Sequence, residues 1–220
     1  MGTVIHMPPR GHYLAAEAGR LAGVSGDQIG QWARHDYIRS SQSAGRPRVY
    51  SYQDIAEAMV VHQLRLTQVS YDDIKTVLDG LRADADLGDW PLQHATLKTV
   101  ASPKKRGRLL VERDGEHFDV SGRPWHGAID VGDLVAIAAD LNRGGWAARE
   151  LPDLRYIEVN PDRLSGRPVI RGKRVAARTV AELAMTAQGA QVLRDEYDLA
   201  SHEITDASRW WEVARRYEAA

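Results

Sequence analysis

The chain has 220 residues, 43% hydrophobic and 27% charged, with a mean hydropathy of -0.42; this is too apolar for a disordered chain and too polar for a membrane protein. No apolar run approaches the roughly 18 residues of a membrane span, and the first 13 residues lack the apolar stretch of a signal peptide, so a cytoplasmic location and no membrane partner are expected. The absence of cysteine excludes disulfides, thiolate metal sites and cysteine nucleophiles.

Taken in chain order, residues 14–22 are Ala-rich and helix-favouring, and Gly23-Val24-Ser25-Gly26 interrupts them. Ser25 with Gln28 has the spacing of a capping box, which predicts a second helix over about 26–36. Its inner face is Ile29, Trp32 and Ala33, and Gln28, Gln31, Arg34 and His35 point outward. This order is the shape of a helix-turn-helix. Residues 40–50, SSQSAGRPRVY, are polar, Gly- and Pro-punctuated and end in β-favouring Val49-Tyr50, so they read as a basic wing carrying Arg46 and Arg48. Helices are expected over 52–66, with Ile55, Met59 and Val60 inward, and over 72–82, with Ile74, Val77, Leu78 and Leu81 inward.

Past a boundary near the proline-bearing, basic ASPKKRGR stretch, residues 108–120 predict a β-hairpin on an Asp114-Gly115 turn. That register sets Val111 opposite Phe118, Leu109 opposite Val120 and Arg113 opposite Glu116. A helix follows over 133–142 with Leu134, Ile137, Ala138 and Leu141 inward, ended by Gly144-Gly145. Then come a short strand at 156–159, two short strands around a Gly turn in GRPVIRGKRV (166–175), a helix opened by a Thr179/Glu182 capping box, and a last helix capped by Ser201. On that last helix Ile204, Ala207 and Trp211 form one stripe, and Trp210, Val213 and Tyr217 form a second about 120° away. The second stripe is expected to be spare and to face a partner.

The expected architecture is therefore α+β and mainly α: a winged helix-turn-helix (1–88), a middle β-hairpin plus helix (89–150) and a small C-terminal helix-turn-helix-like domain (151–220). Net charge is -1, yet it is blocked, with +3 over 1–50, -5 over 51–97, +5 over 98–113, -5 over 114–154, +5 over 155–178 and -4 over 179–220. Two basic surfaces for polyanions or acidic partners, separated by acidic helical segments, are expected from this pattern. Catalysis has no support: HExxH, phosphate-loop, GxSxG and GxGxxG motifs are absent, and the eight histidines are scattered. His117 and His126, which flank the hairpin, read as surface residues and not as a metal pair. No catalytic residue, metal or cofactor is expected.

Residues 13–65 resemble the N-terminal domain of MerR-type transcription regulators. The resemblance rests on Tyr13 to Leu21 with Ala22-Gly23-Val24-Ser25, Ile29 to Trp32, Tyr37-Ile38, Arg46, Arg48-Val49-Tyr50 and Asp54-Ile55. It implies that the second helix enters the major groove of operator DNA while the wing meets the flanking backbone, with Gln28, Gln31, Arg34, Arg46 and Arg48 as the DNA contacts; Arg48 equally suits a brace between wing and domain body. Gly30 stands where such regulators usually carry a basic residue.

Residues 154–213 resemble a small family of unknown function associated with VapB-like antitoxins, the partners of PIN-domain VapC toxins. The carriers are Tyr156-Ile157, Asn160-Pro161, GRPVIRGKRV (166–175), Tyr197 and Ile204-Thr205-Asp206-Ala207. That resemblance implies a type II antitoxin that neutralises a PIN-type ribonuclease and represses its own operon, as a homodimer or a toxin-antitoxin hetero-oligomer. Guanidinium groups suit the carboxylate cluster of such a nuclease, which makes Arg171, Lys173, Arg174, Trp210, Val213 and Tyr217 the expected toxin contacts. Alternatively, Arg167 and Arg171 brace their own turn. The rival readings are a free-standing transcription regulator that senses a small ligand through the middle unit, and a nuclease or other hydrolase acting alone, which would need metal-dependent turnover at His117 or His126.

Overall fold

A computed structural model describes residues 8–83, 90, 97–102, 105–113, 115–119, 121–124 and 136–218. The first two helices are α1 (Ala15–Ala22) and α2 (Gly26–Arg34), separated by a tight turn. Gly23 ends α1 at φ +76°, a left-handed conformation that favours glycine, and a Cβ there would lie 2.3 Å from the Trp146 ring. The Ser25 hydroxyl accepts from the Gln28 N–H and opens α2. As expected, Ile29, Trp32 and Ala33 are its buried face. The helix stops at Arg34, two residues short of the expected end.

Helix α3 (Tyr52–Leu66) is opened by a true capping box: Ser51 accepts from the Asp54 N–H, and Asp54 accepts from the Ser51 N–H at 2.8 Å. Asp54 is fully buried, and both of its carboxylate oxygens accept hydrogen bonds. It also accepts from the Ser41 N–H and hydroxyl, at 2.8 and 2.7 Å, and from the Trp90 indole N–H at 2.9 Å. One carboxylate thus holds the helix start, the entry to the wing and a tryptophan from the following segment.

The expected inward set on α3 was too narrow. Every residue from Gln53 to Val61 is buried, and Leu64 with them, because the helix is covered by later parts of the chain as well as by its neighbours α1 and α4 (Tyr71–Arg82). A helix buried around most of its circumference shows no clear polar face. On α4 the four expected residues, Ile74, Val77, Leu78 and Leu81, are all buried.

The middle of the chain is a three-stranded antiparallel meander, β1 (Leu97–Ser102), β2 (Lys105–Arg113) and β3 (Glu116–Asp119). Val111 pairs with Phe118 and Arg113 with Glu116, as the turn signal demands. Asp114 and Val120, and with Val120 its expected pairing with Leu109, lie outside the described residues. The first strand was not foreseen: LKTVAS shows no sustained alternation. Helix α5 (Ala136–Asn142) buries Ile137 and Leu141, while Leu134 lies outside the described residues. A short unforeseen helix, α6 (Trp146–Glu150), follows.

Among the described residues this middle part builds no core of its own. Leu109, Ile137, Leu141 and Trp146 join the cluster formed by α1 to α4, and so does Val159 from the tail. A second cluster comprises Ala147, Ala148, Leu154, Ile157, Ile170, Val180, Leu193, Leu199 and the last helix.

That second cluster is assembled on the antiparallel pair β4 (Ile157–Glu158) and β5 (Val169–Ile170), followed by α7 (Ala177–Leu183), α8 (Ala187–Asp195) and α9 (Ser201–Ala214). The Gly turn in GRPVIRGKRV forms, with the Ile170 N–H donating to Val175 O and the Lys173 N–H to Ile170 O. Two expected caps do not. Helix α7 starts at Ala177, so Thr179 lies inside its first turn. Helix α9 is capped by Glu203, whose carboxylate accepts from the Ala200 N–H at 2.8 Å, and Ser201 is already the first helical residue.

The two clusters are joined at Tyr13. Its main chain bridges Tyr50, so the wing strand and the approach to α1 are paired. Its buried phenol donates to Gly166 O at 2.9 Å, across 153 residues of sequence. Gly166 has φ +92°, and a Cβ there would lie 1.8 Å from the Tyr13 hydroxyl. Desolvation pushes the Tyr13 phenol far above its ordinary pKa, so it remains a donor at any physiological pH. Around it, Tyr52 donates to Asn142 at 2.7 Å, the His62 ring lies tilted against Trp146 with centroids 4.1 Å apart, and Arg10 pairs with Asp162. No helix among the described residues is long and apolar enough to cross a membrane.

Replacing Tyr13 with Phe removes only the phenol and leaves Gly166 O without that donor, so urea denaturation should report a loss of about 1–2 kcal/mol. Gly166→Ala combines an unfavourable φ with a steric overlap and should cost clearly more than the roughly 1–3 kcal/mol of the backbone strain alone. Asp54→Ala strands several buried donors, and a loss of at least about 3 kcal/mol is expected in the same assay.

Candidate nucleic-acid interface

The geometry of the first 82 residues leaves one side of α2 uncovered. Its apolar face is anchored: Trp32 is buried and its indole N–H donates to the Tyr71 hydroxyl of α4 at 3.1 Å. Tyr71 in turn packs on Tyr37 with ring centroids 5.0 Å apart, and Arg82 at the end of α4 donates to Asp36 O at 2.7 Å. The helix is thus fixed by its inner face and by its exit. Gln31, Arg34 and His35 are exposed, and Gln28, whose main-chain N–H donates to the Ser25 cap, is half-buried.

The expected wing takes the form of a short, tight loop. Ser43 and Val49 exchange both main-chain hydrogen bonds, at 3.1 and 2.9 Å, and Val49 and Tyr50 are buried. Arg46 is exposed at the tip and Arg48 is half-exposed beside it. The tip includes a cis Arg46–Pro47 bond. The wing is held at its base by Asp54, through Ser41, and by the Tyr13–Tyr50 bridge. Sequence reasoning did not assign Ser41 and Asp54 this role, although the Ser51-x-x-Asp54 spacing was a readable sign of the cap.

Helix and wing face the same side. Arg48 of the wing and Ala33 and Asp36 at the end of α2 line one surface cleft, and burial, with Asp54, raises the pKa of the Tyr50 phenol while Arg48 and Arg34 oppose the rise. Among the described residues Arg34, Arg46 and Arg48 form no ion pair, so Arg48 does not act as a salt-bridge brace for the wing. Unneutralised arginines gathered on a helix and an adjacent loop are suited to phosphate oxygens. Tyr50 and Trp32, being buried, belong to the core and are not available for base stacking.

The expected toxin contacts fare differently. Trp210 and Val213 are each 3% exposed. Trp210 donates its indole N–H to Gly144 O at 2.9 Å, and Tyr217 is half-buried with its hydroxyl on Glu150 at 2.8 Å. The stripe expected to be spare is therefore covered, because α6 and the α5–α6 glycine turn pack onto it. That cover comes from residues assigned to the middle unit, so a reading of the tail as an independent domain could not supply it. Lys173 is engaged too: it donates to Asp198 O and pairs with the buried Glu203 at 3.4 Å. Arg171 is exposed but also donates to Ile157 O at 3.4 Å, bracing its own turn. Arg167 pairs with Glu17 of α1 at 3.4 Å and so reaches across to the first cluster. Arg174 is exposed.

No group of three or more His, Asp or Glu side chains is arranged to hold a metal ion among the described residues. His117 faces Glu112 at 3.4 Å, and His126 lies outside the described residues.

Comparison with known proteins agrees with the division of chemistry along the chain. Residues 13–81 match the MerR HTH family regulatory protein family, and residues 157–210 match a family described as protein of unknown function (DUF433). Two curated relatives are the uncharacterized HTH-type transcriptional regulators Rv1830 of Mycobacterium tuberculosis and Mb1861 of Mycobacterium bovis. Each is 34% identical over 74 residues, which is 32% of this chain and 33% of the relative. The chain thus matches only about a third of the length of those proteins. Its fold is similar to the crystal structure of Rv2018 from Mycobacterium tuberculosis, with a TM-score of 0.51 at 19% identity, over 91% of this chain and 97% of that one. The chain carries a MerR-family helix-turn-helix domain at its N-terminus and a DUF433 domain at its C-terminus.

Proposed function

We propose that the protein is a DNA-binding transcription regulator in which α2 enters the major groove and the Arg46–Arg48 wing meets the flanking phosphates. The observation that carries this reading is that Arg34 on the exposed side of α2 and Arg46 and Arg48 on the wing all lie outside the ion pairs of the described residues. Gln31 and Arg34 on the exposed face have the donor groups that read base edges, and Arg46 and Arg48 suit the sequence-independent backbone term. Two copies on a symmetric operator is the arrangement such a reader requires. The relatives' names as transcription regulators support the same reading.

The antitoxin reading rests on less. It needed an aromatic surface on the last helix, and Trp210 and Val213 are buried; Arg171 and Arg174 are the exposed cations left to it. The regulator reading is therefore preferred, and the tail is assigned to supporting and modulating the first domain.

Gly30 provides a gain-of-function test. A Cβ at this helical position meets only the Arg34 guanidinium, at 3.8 Å, so a longer side chain fits. Fluorescence anisotropy on the duplex upstream of the protein's own reading frame should show tighter binding for Gly30→Lys and a salt slope steeper by about 0.9 if one phosphate contact is added. Arg48→Ala should weaken binding and flatten that slope by about the same amount, and Arg34→Ala should weaken binding and relax the preference for one base. Unchanged affinity of both alanine variants at low salt would remove the interface assignment.

A further inference from the structure

Where the two clusters meet, α1 and the tail enclose a cleft of about 250 Å³ lined by Tyr13, Leu21, Pro168, Ala176, Trp210 and Trp211, together with three arginines, Arg20, Arg167 and Arg178, and a single acid, Glu17. The volume is just under the range of roughly 300–1,000 Å³ usual for small-molecule sites, so its occupant is small.

The cations are arranged around one ring. The Arg178 guanidinium lies 4.7 Å and that of Arg20 5.9 Å from the centre of the Trp211 ring. Both reach the same carboxylate oxygen of Glu218, at 3.3 Å from Arg178 and 2.9 Å from Arg20. Glu218 comes from the turn after the last helix, and 37% of its side chain is exposed. Arg20 is mostly buried, with 12% of its side chain exposed. Burial is the largest influence on its charge and opposes it, and the Glu218 carboxylate is the largest influence that restores it. A carboxylate is therefore what this pair of guanidinium groups takes: the chain supplies Glu218 from the turn after its last helix, next to Tyr217, whose hydroxyl is tied to Glu150, and Arg178 also pairs with Glu182 at 2.7 Å.

We propose that this cleft binds a small aromatic monocarboxylate, whose carboxylate takes the place of Glu218 between Arg20 and Arg178 and whose ring lies against the apolar wall of Leu21, Pro168 and Ala176. Arg20 belongs to α1, which packs directly on the proposed DNA-reading helix, while Arg178 belongs to α7 of the tail. Occupancy would change the tie between tail and DNA-binding domain. This consequence, unlike the binding itself, rests on the regulator reading, and it couples the two sites through a shared equilibrium.

Benzoate, titrated calorimetrically into the full chain with benzamide as the neutral control, tests the site. Benzoate should bind saturably and benzamide should not. Glu218→Gln, a surface change that removes the competing carboxylate, should tighten benzoate binding about tenfold, and Arg178→Gln should abolish it while the melting curve stays cooperative. Equal binding of benzoate and benzamide, or no benzoate binding to Glu218→Gln, overturns the proposal. The same samples are assayed on the upstream duplex without benzoate. Failure to bind DNA there defeats the regulator reading alone, whereas absent benzoate binding in material that still binds DNA defeats the carboxylate site alone.

Discussion

A single buried phenol sets the layout of this molecule. Tyr13 pairs with the wing strand through its main chain and with Gly166 of the tail through its hydroxyl. Its ring occupies the place a Cβ at residue 166 would take. The contact with the tail is possible because residue 166 is a left-handed glycine that presents its carbonyl with no Cβ in the way. The neighbouring contacts repeat this arrangement: Trp146 lies against Gly23 and Trp210 against Gly144. Large rings seated on glycine backbone bury much area at close approach, and they convert two small clusters, each a modest core by itself, into one packed structure.

The fate of the arginines explains why the two ends of the chain differ in chemistry despite similar local charge. In the tail, basic groups are largely satisfied within the fold: Lys173 with Glu203, Arg163 with Glu158, Arg209 with Asp153 and Arg216 with Glu150. Exposed pairs of this type contribute little stability each, but they neutralise the field that a basic block would otherwise project. At the wing and on α2 there is no such compensation among the described residues. A block of positive charge in a sequence therefore marks a polyanion surface only where the fold leaves it unpaired.

Asp54 shows how stability and the candidate interface are coupled. Its carboxylate accepts from the start of α3, from Ser41 at the wing base and from Trp90. The wing is consequently positioned by the same group that nucleates the central helix, and the loop that carries Arg46 and Arg48 is rigid at its base and exposed only at its tip. Loop side chains held on a rigid scaffold in this way are the usual carriers of recognition.

Much of this was legible in the order of residues. The α1–turn–α2 unit, the wing, the extents of α3 and α4, the β2–β3 register and the inner faces of α2 and α4 all follow from local spacing, because caps, turn residues and helical period act over a few positions. The outward face of α2, hence Gln31 and Arg34, was legible for the same reason. What spacing could not decide is which apolar stripe meets which, since that depends on residues far away in sequence. The second stripe on α9 was covered by the α5–α6 turn, α3 was enclosed on nearly all sides, and Lys173 was drawn to Glu203. The meeting of Arg20, Arg178 and Glu218 around Trp211 likewise has no sequence signature, because its parts are brought together by tertiary packing alone.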